Sequence, residues 1–138
     1  GVWVHFGNWL IAAIAAGAPV LQDAAVTGHD RDEIGLLVFP SPAGCAALCG
    51  KPADTPLGEL IADERVRAKV AEGLAAYNKE YPASSTRIGR VLLMTAPPNI
   101  DANEITDKGY LNQRAILEER ADLVEKLYSD DPDVIRIN

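Results

Sequence analysis

The chain has 138 residues, 48% of them hydrophobic and 24% charged, which suits one ordinary domain with a continuous core and leaves too little chain for two. Its 13 Lys and Arg against 20 Asp and Glu give a net charge of −7 at pH 7. The basic residues form no run, so the clustered cations that bind nucleic acid or an anionic membrane surface are not expected.

Val2, Val4 and Phe6 alternate with Trp3 and His5, which predicts a short strand over 2–6. No initiator Met precedes that strand, so removal of an upstream part is expected. Gly7-Asn8 breaks the alternation, Asn8 is a good helix N-cap, and Leu10, Ile11, Ile14 and Ala15 follow at helical spacing as far as Gly17 and Pro19. The apolar stretch 10–20 lacks a basic leader and is too short to span a bilayer, so it reads as a core helix. With no targeting signal, the expected location is the cytoplasm.

Residues 20–27 and 33–39 are strand candidates on either side of the polar turn Gly28-His29-Asp30-Arg31-Asp32, the pattern of a hairpin. Residues 40–56 hold four of the nine prolines and two glycines, and read as a loop with one helical turn around 45–48. Leu60, Ile61, Val66, Val70, Leu74 and Tyr77 then form an apolar stripe, predicting a long amphipathic helix across 57–80 that ends at Pro82. Residues 87–95 are the third main strand, stopped by Pro97-Pro98.

Residues 99–111 are polar and carry no helical stripe. A second long amphipathic helix is expected from Asn112, with Ile116, Leu117, Leu123, Val124 and Leu127 inward and Glu118, Glu119, Arg120 and Glu125 outward. Asp130-Asp131-Pro132 stops it, leaving 134–137 as a short edge strand or a frayed end. The predicted fold is α+β, a single domain over 1–138. It has a small mixed sheet of about three main strands plus a short N-terminal strand, with two long amphipathic helices and one short helix packed on it.

No Gly-x-Gly-x-x-Gly, Walker or Gly-x-Ser-x-Gly pattern occurs, so the chain shows no nucleotide cradle of its own. Cys45 and Cys49 share a helical face, but a metal site of the usual kind needs about four ligands, and they read as reduced structural thiols. Asp30, Asp32 and Glu33 lack the glycine and distal Glu of a calcium loop, and His29 reads as a solvated turn residue. No metal site is expected.

The informative segment is 97–112, long for an irregular connection inside one domain. It contains one lysine, Lys108, followed by Gly109, a residue free to adopt unusual backbone angles. By composition alone Lys108 reads as an exposed loop lysine rather than a functional one.

Three segments carry a resemblance that separates these readings. They are Trp3-Val4-His5, the hairpin 20–35, and Glu104-Ile105-Thr106-Asp107-Lys108-Gly109-Tyr110-Leu111-Asn112-Gln113-Arg114. Together they resemble the C-terminal domain of adenylate-forming enzymes, most of all the bacterial feruloyl-CoA synthetase group. The likeness extends over 1–128 and is weakest across 40–56. It implies a mobile lid of an ATP-dependent carboxylic acid–CoA ligase, an AMP-forming acid–thiol ligase. The lid would close on a large N-terminal adenylation domain of the same chain that binds ATP, Mg2+ and the acid, then rotate so that CoA attacks the acyl-adenylate.

The resemblance makes Lys108 the adenylation lysine, with Thr106, Asp107 and Gly109 positioning it. The commoner family form places Ser/Thr-Gly directly before the lysine, whereas here Thr106-Asp107 precede it and the glycine follows, as in the feruloyl-type group. The resemblance also makes Trp3, His5 and Gly7 candidates for the CoA channel, although Trp3 fits a strand aromatic packed on the sheet equally well. The family's hinge residue and its nucleotide- and acid-binding motifs are not in this sequence, so the isolated domain is expected to be inactive, with no cofactor held tightly. Two other readings stay open: the lid of an adenylation domain serving a carrier protein, and a non-catalytic interaction or regulatory module of the same fold.

Overall fold

The structure, a computed structural model, describes residues 8–28, 33–82, 87–106 and 111–137. The strand expected over 2–6 lies outside them. In chain order the elements are α1 (Asn8–Ala16), β1 (Leu21–Thr27), β2 (Ile34–Pro40), α2 (Pro42–Cys49), α3 (Leu57–Ala62), α4 (Glu64–Glu80), β3 (Ile88–Leu93), α5 (Gln113–Glu119), α6 (Ala121–Leu127) and β4 (Ile135–Arg136). The sheet order is β1-β2-β3-β4. β1 and β2 form the expected antiparallel hairpin, β2 and β3 run parallel, and β4 pairs antiparallel with β3. The α+β class and the small mixed sheet therefore hold.

The central strands are buried on both faces, which explains why β2 and, apart from Arg90, β3 read as apolar runs rather than alternating ones. Leu36, Val38, Val91 and Leu93 point into one core with Val66, Val70 and Leu74 of α4 and with α1 to α3. Leu37, Phe39, Leu92 and Met94 point into the other, with Ile116 of α5 and Leu127 of α6. The crossover between parallel β2 and β3 is made by α2, α3 and α4, as a parallel pair requires.

Four local expectations are corrected. Asn8 is the first residue of α1 rather than the residue before it. The single helical turn expected around 45–48 is a longer helix of two turns, Pro42–Cys49. Ser41 caps it by accepting from Gly44 N–H, Pro42 fits a first turn where no N–H is needed, and Gly50 ends it in the left-handed conformation at φ 63°. The helix expected across 57–80 is divided at Asp63, whose extended backbone ends α3 while its carboxylate caps α4 by accepting from Arg65 N–H at 2.8 Å. The helix expected from Asn112 is divided at Arg120, whose φ and ψ of −113° and 35° leave the helical region.

Side-chain amides tie helices to strands. Asn78 at the end of α4 donates to Ile88 O and accepts from Ile88 N–H, fixing the start of β3. Both cysteines are buried and free. Burial pushes the Cys45 thiol up to about 11, and burial together with the neighbouring Asp63 carboxylate raises Cys49. These are the inert thiols the sequence suggested.

Candidate functional site

The chain leaves β3 through Met94 to Pro98 and folds back on itself between Asn99 and Glu104. Asn99 N–H donates to Glu104 Oε1, Glu104 N–H donates to Asn99 O, and Asn103 turns the corner at φ 60°, a conformation asparagine tolerates well. Beyond this turn, Ile105 and Leu111 form an antiparallel bridge, and Asn112 N–H donates to Glu104 O at 2.8 Å. The two ends of the segment containing Lys108 are thus held side by side.

On the N-terminal side the anchor is a buried ion pair. Arg120 donates from Nε to Glu104 Oε2 at 2.8 Å and from Nη2 to Glu104 Oε1 at 2.9 Å, with the side chains 10% and 2% exposed. Its other N–H groups go to Ala96 O at 3.0 Å, Pro97 O at 2.9 Å and Met94 Sδ at 3.3 Å. All five donors of the guanidinium are engaged, and its Cζ lies 4.9 Å from the centroid of the Phe39 ring. One residue therefore joins the end of β3, the turn before Ile105 and the α5–α6 junction. The hydrogen bonds from Arg120 hold the Glu104 carboxyl below the ordinary carboxylate range, against the opposing effect of burial.

On the C-terminal side, Asn112 caps α5 by accepting from Ala115 N–H at 3.3 Å. Gln113 then docks α5 on the outer edge of β1: Val26 N–H donates to its Oε1 at 2.8 Å, and its Nε2 donates to Ala24 O at 3.1 Å. The amide continues the sheet by one pair of hydrogen bonds where no further strand is present among the described residues.

A third cluster braces the β1–β2 hairpin. Arg90 on β3 pairs with Glu33 at 2.6 Å and donates to Leu127 O at 2.9 Å. The Tyr128 hydroxyl lies 2.8 Å from both Thr27 Oγ1 and Glu33 O. A cleft of about 330 Å³ runs between α3, the end of β3 and α6. Its cations are already engaged: Arg67 with the carbonyls of Pro132 and Asp133, Lys126 with the Asp133 carboxylate, and Arg120 as above.

Of the residues the sequence singled out, Thr106 is described and is exposed immediately beyond Ile105. Lys108, Asp107, Gly109, Trp3, His5 and Gly7 lie outside the described residues. Sequence reasoning missed the Glu104–Arg120 pair and placed Arg120 outward, which the structure corrects. A signal existed, because Arg120 lies four residues after Ile116 and four before Val124, on the buried line of the helix. Among the described residues no group of three or more His, Cys, Asp or Glu could hold a metal, and no helix is long and apolar enough to cross a membrane.

A family model described as the AMP-binding enzyme C-terminal domain matches residues 10–132. The chain belongs to this family. No curated protein matches it. Among solved structures, this AMP-binding enzyme C-terminal domain is similar to part of the A-PCP didomain of carboxylic acid reductase from Segniliparus rugosus in complex with AMP. The TM-score is 0.59 and the identity 21%, over 86% of this chain and 16% of that one. The adenylation domain of the carboxylate reductase from Mycobacterium chelonae gives the same TM-score and identity, with 17% of that chain covered. So does the A domain of the Segniliparus rugosus enzyme with AMP and a co-purified carboxylic acid, with 18% covered. At this identity the likeness shows the fold, and the chain spans about a sixth of the length of the structures it matches.

Proposed function

We propose that this domain is the mobile C-terminal lid of an AMP-forming carboxylic acid–CoA ligase of the feruloyl-CoA synthetase type, with Lys108 as its adenylation lysine. The observation that carries the reading is the family match over 10–132, which includes the motif Glu104-Ile105-Thr106-Asp107-Lys108-Gly109-Tyr110, whose Ile105 is bridged to Leu111 just beyond it. In this reading the large adenylation domain of the same polypeptide binds ATP and the acid. Among the described residues no group of three or more His, Cys, Asp or Glu could hold a magnesium ion, and in this reading the metal, like ATP, is bound by that larger domain.

The lysine has a defined physical task. As the carboxylate attacks the α-phosphate, negative charge builds up between two anionic reactants, and an ammonium delivered there stabilises it while holding them in register. Carrying the ammonium on a lid makes that stabilisation conditional on closure. Trp3, His5 and Gly7 would serve the thioester-forming arrangement, in which CoA reaches the adenylate, while Thr106, Asp107 and Gly109 set the lysine.

A second reading is favoured by the solved structures, which are adenylation domains of carboxylic acid reductases, one of them joined to a PCP. The acceptor could then be a carrier-bound thiol. The deciding experiment uses the full-length protein. Acid-dependent exchange of pyrophosphate into ATP tests adenylation, with ferulate among the acids tried, and thioester formation is then followed with free CoA and with a phosphopantetheinylated carrier. Product with free CoA supports the ligase, product with the carrier alone supports the second reading, and no exchange with any acid rejects both.

A further inference from the structure

We infer that Glu104 and Arg120 are positioning residues for the adenylation step, their buried pair fixing the polypeptide from which Lys108 is presented; the inference rests on the role of Lys108 proposed above. Neither residue approaches a reacting atom in this account. They act through the backbone of Glu104, which holds Asn112, and through Ile105, which is bridged to Leu111.

The economy of the pair argues for this role. A buried ion pair is a poor source of stability, because desolvating both charges cancels most of their attraction, and apolar replacements of similar volume often do as well. What an apolar pair cannot reproduce is direction. The guanidinium fixes Glu104 with two parallel hydrogen bonds and, through Ala96 and Pro97, fixes the exit of β3 in the same plane. Gln113 provides the matching anchor on the far side by holding α5 to β1. Both ends of the lysine-bearing segment are consequently tied to the sheet, one by a charged fork and one by an amide. Such restraint matters for a charge that must meet a transition state, where a misplacement of about 1 Å costs on the order of 100-fold in rate.

The test is a set of double-mutant cycles in the full-length enzyme, with adenylate formation and thioester formation from supplied acyl-adenylate measured separately. Arg120→Lys keeps the cation and removes the fork, and Glu104→Gln keeps the shape and one acceptor. Each is expected to lower kcat for adenylation roughly 10- to 100-fold with a KM for the acid changed less than about 3-fold, and to leave the thioester step within about 2-fold. In the Lys108→Ala background the same substitutions are expected to cost almost nothing further, because the group they position is gone.

Equal loss in both half-reactions, or full additivity with Lys108→Ala, would show a merely structural pair and overturn the inference. If either variant fails to fold, Gln113→Ala tests the other anchor by the same cycle, and additivity there overturns the inference equally. Lys108→Ala alone separates the two levels. If it leaves adenylation intact, the reading of Lys108 fails. If it cripples adenylation while the Glu104, Arg120 and Gln113 variants do not, only the positioning inference fails.

Discussion

Arg120 grips Glu104 with two nitrogens, at 2.8 and 2.9 Å, across a gap of sixteen residues, where the chain returning from β3 meets the break between α5 and α6. The same arginine stands at the break itself, ending α5 and preceding α6. Removing only one partner strands a buried charge, so Arg120→Met should destabilise the domain by about 3–5 kcal/mol, and the double change with Glu104→Leu by clearly less. Urea unfolding of the three variants checks the ordering; a double variant as weak as Arg120→Met would contradict it.

The pair also gives stability a direction with pH. The Glu104 carboxyl is held below its ordinary value of 4.5, so the fold favours its charged form. Its contribution is fully present above that ordinary value and is lost as pH falls through the lowered native one. Unfolding free energy followed from neutral pH into the acid range should fall less steeply in Glu104→Gln than in the parent. An unchanged slope would remove Glu104 from the acid sensitivity of the fold.

Gly73 and Gly58 offer a contrast within helices. A Cβ at Gly73 would overlap the carbonyl of Ala16, where α4 lies against the end of α1, whereas one at Gly58 meets nothing within 4 Å. Gly73→Ala should therefore cost about 1–3 kcal/mol through forced separation of the two helices. Gly58→Ala should gain roughly 0.5–1 kcal/mol from helix propensity alone. Urea midpoints moving in opposite directions are the expected result, and a shared direction would contradict the close approach of α1 and α4.

Much of this architecture was legible. The apolar runs of β2 and β3 and the polar turn between the hairpin strands located the sheet, because burial on both faces leaves a strong signal. The break at Asp63 was hidden because the apolar stripe passes through it, with Leu60 and Val66 on the same core. The full length of α2 was hidden by counting prolines without asking where each sits, since Pro42 at a first turn supports a helix that starts before the turn expected at 45–48. Glu104 gave no signal at all: a carboxylate in a polar loop becomes special only when a distant arginine folds onto it. Lys108 depended on the motif, because neither spacing nor charge distinguished it from an exposed lysine.

The thiols supply a further check. Cys45 and Cys49 are buried and their acidities are suppressed, so a thiol reagent at neutral pH should label neither until the domain opens. Labelling rates tracking unfolding in rising urea are the expected outcome. Rapid modification of the native protein would contradict the packing of α2 against α4.

Most directly, the two half-reactions of the full-length enzyme can be measured with Lys108→Ala. The lid account expects adenylate formation to fall by at least about 100-fold, since stabilisation of the developing charge is lost, while thioester formation from supplied acyl-adenylate continues near the parent rate. Equal loss in both half-reactions, or adenylation that survives the substitution, would contradict it.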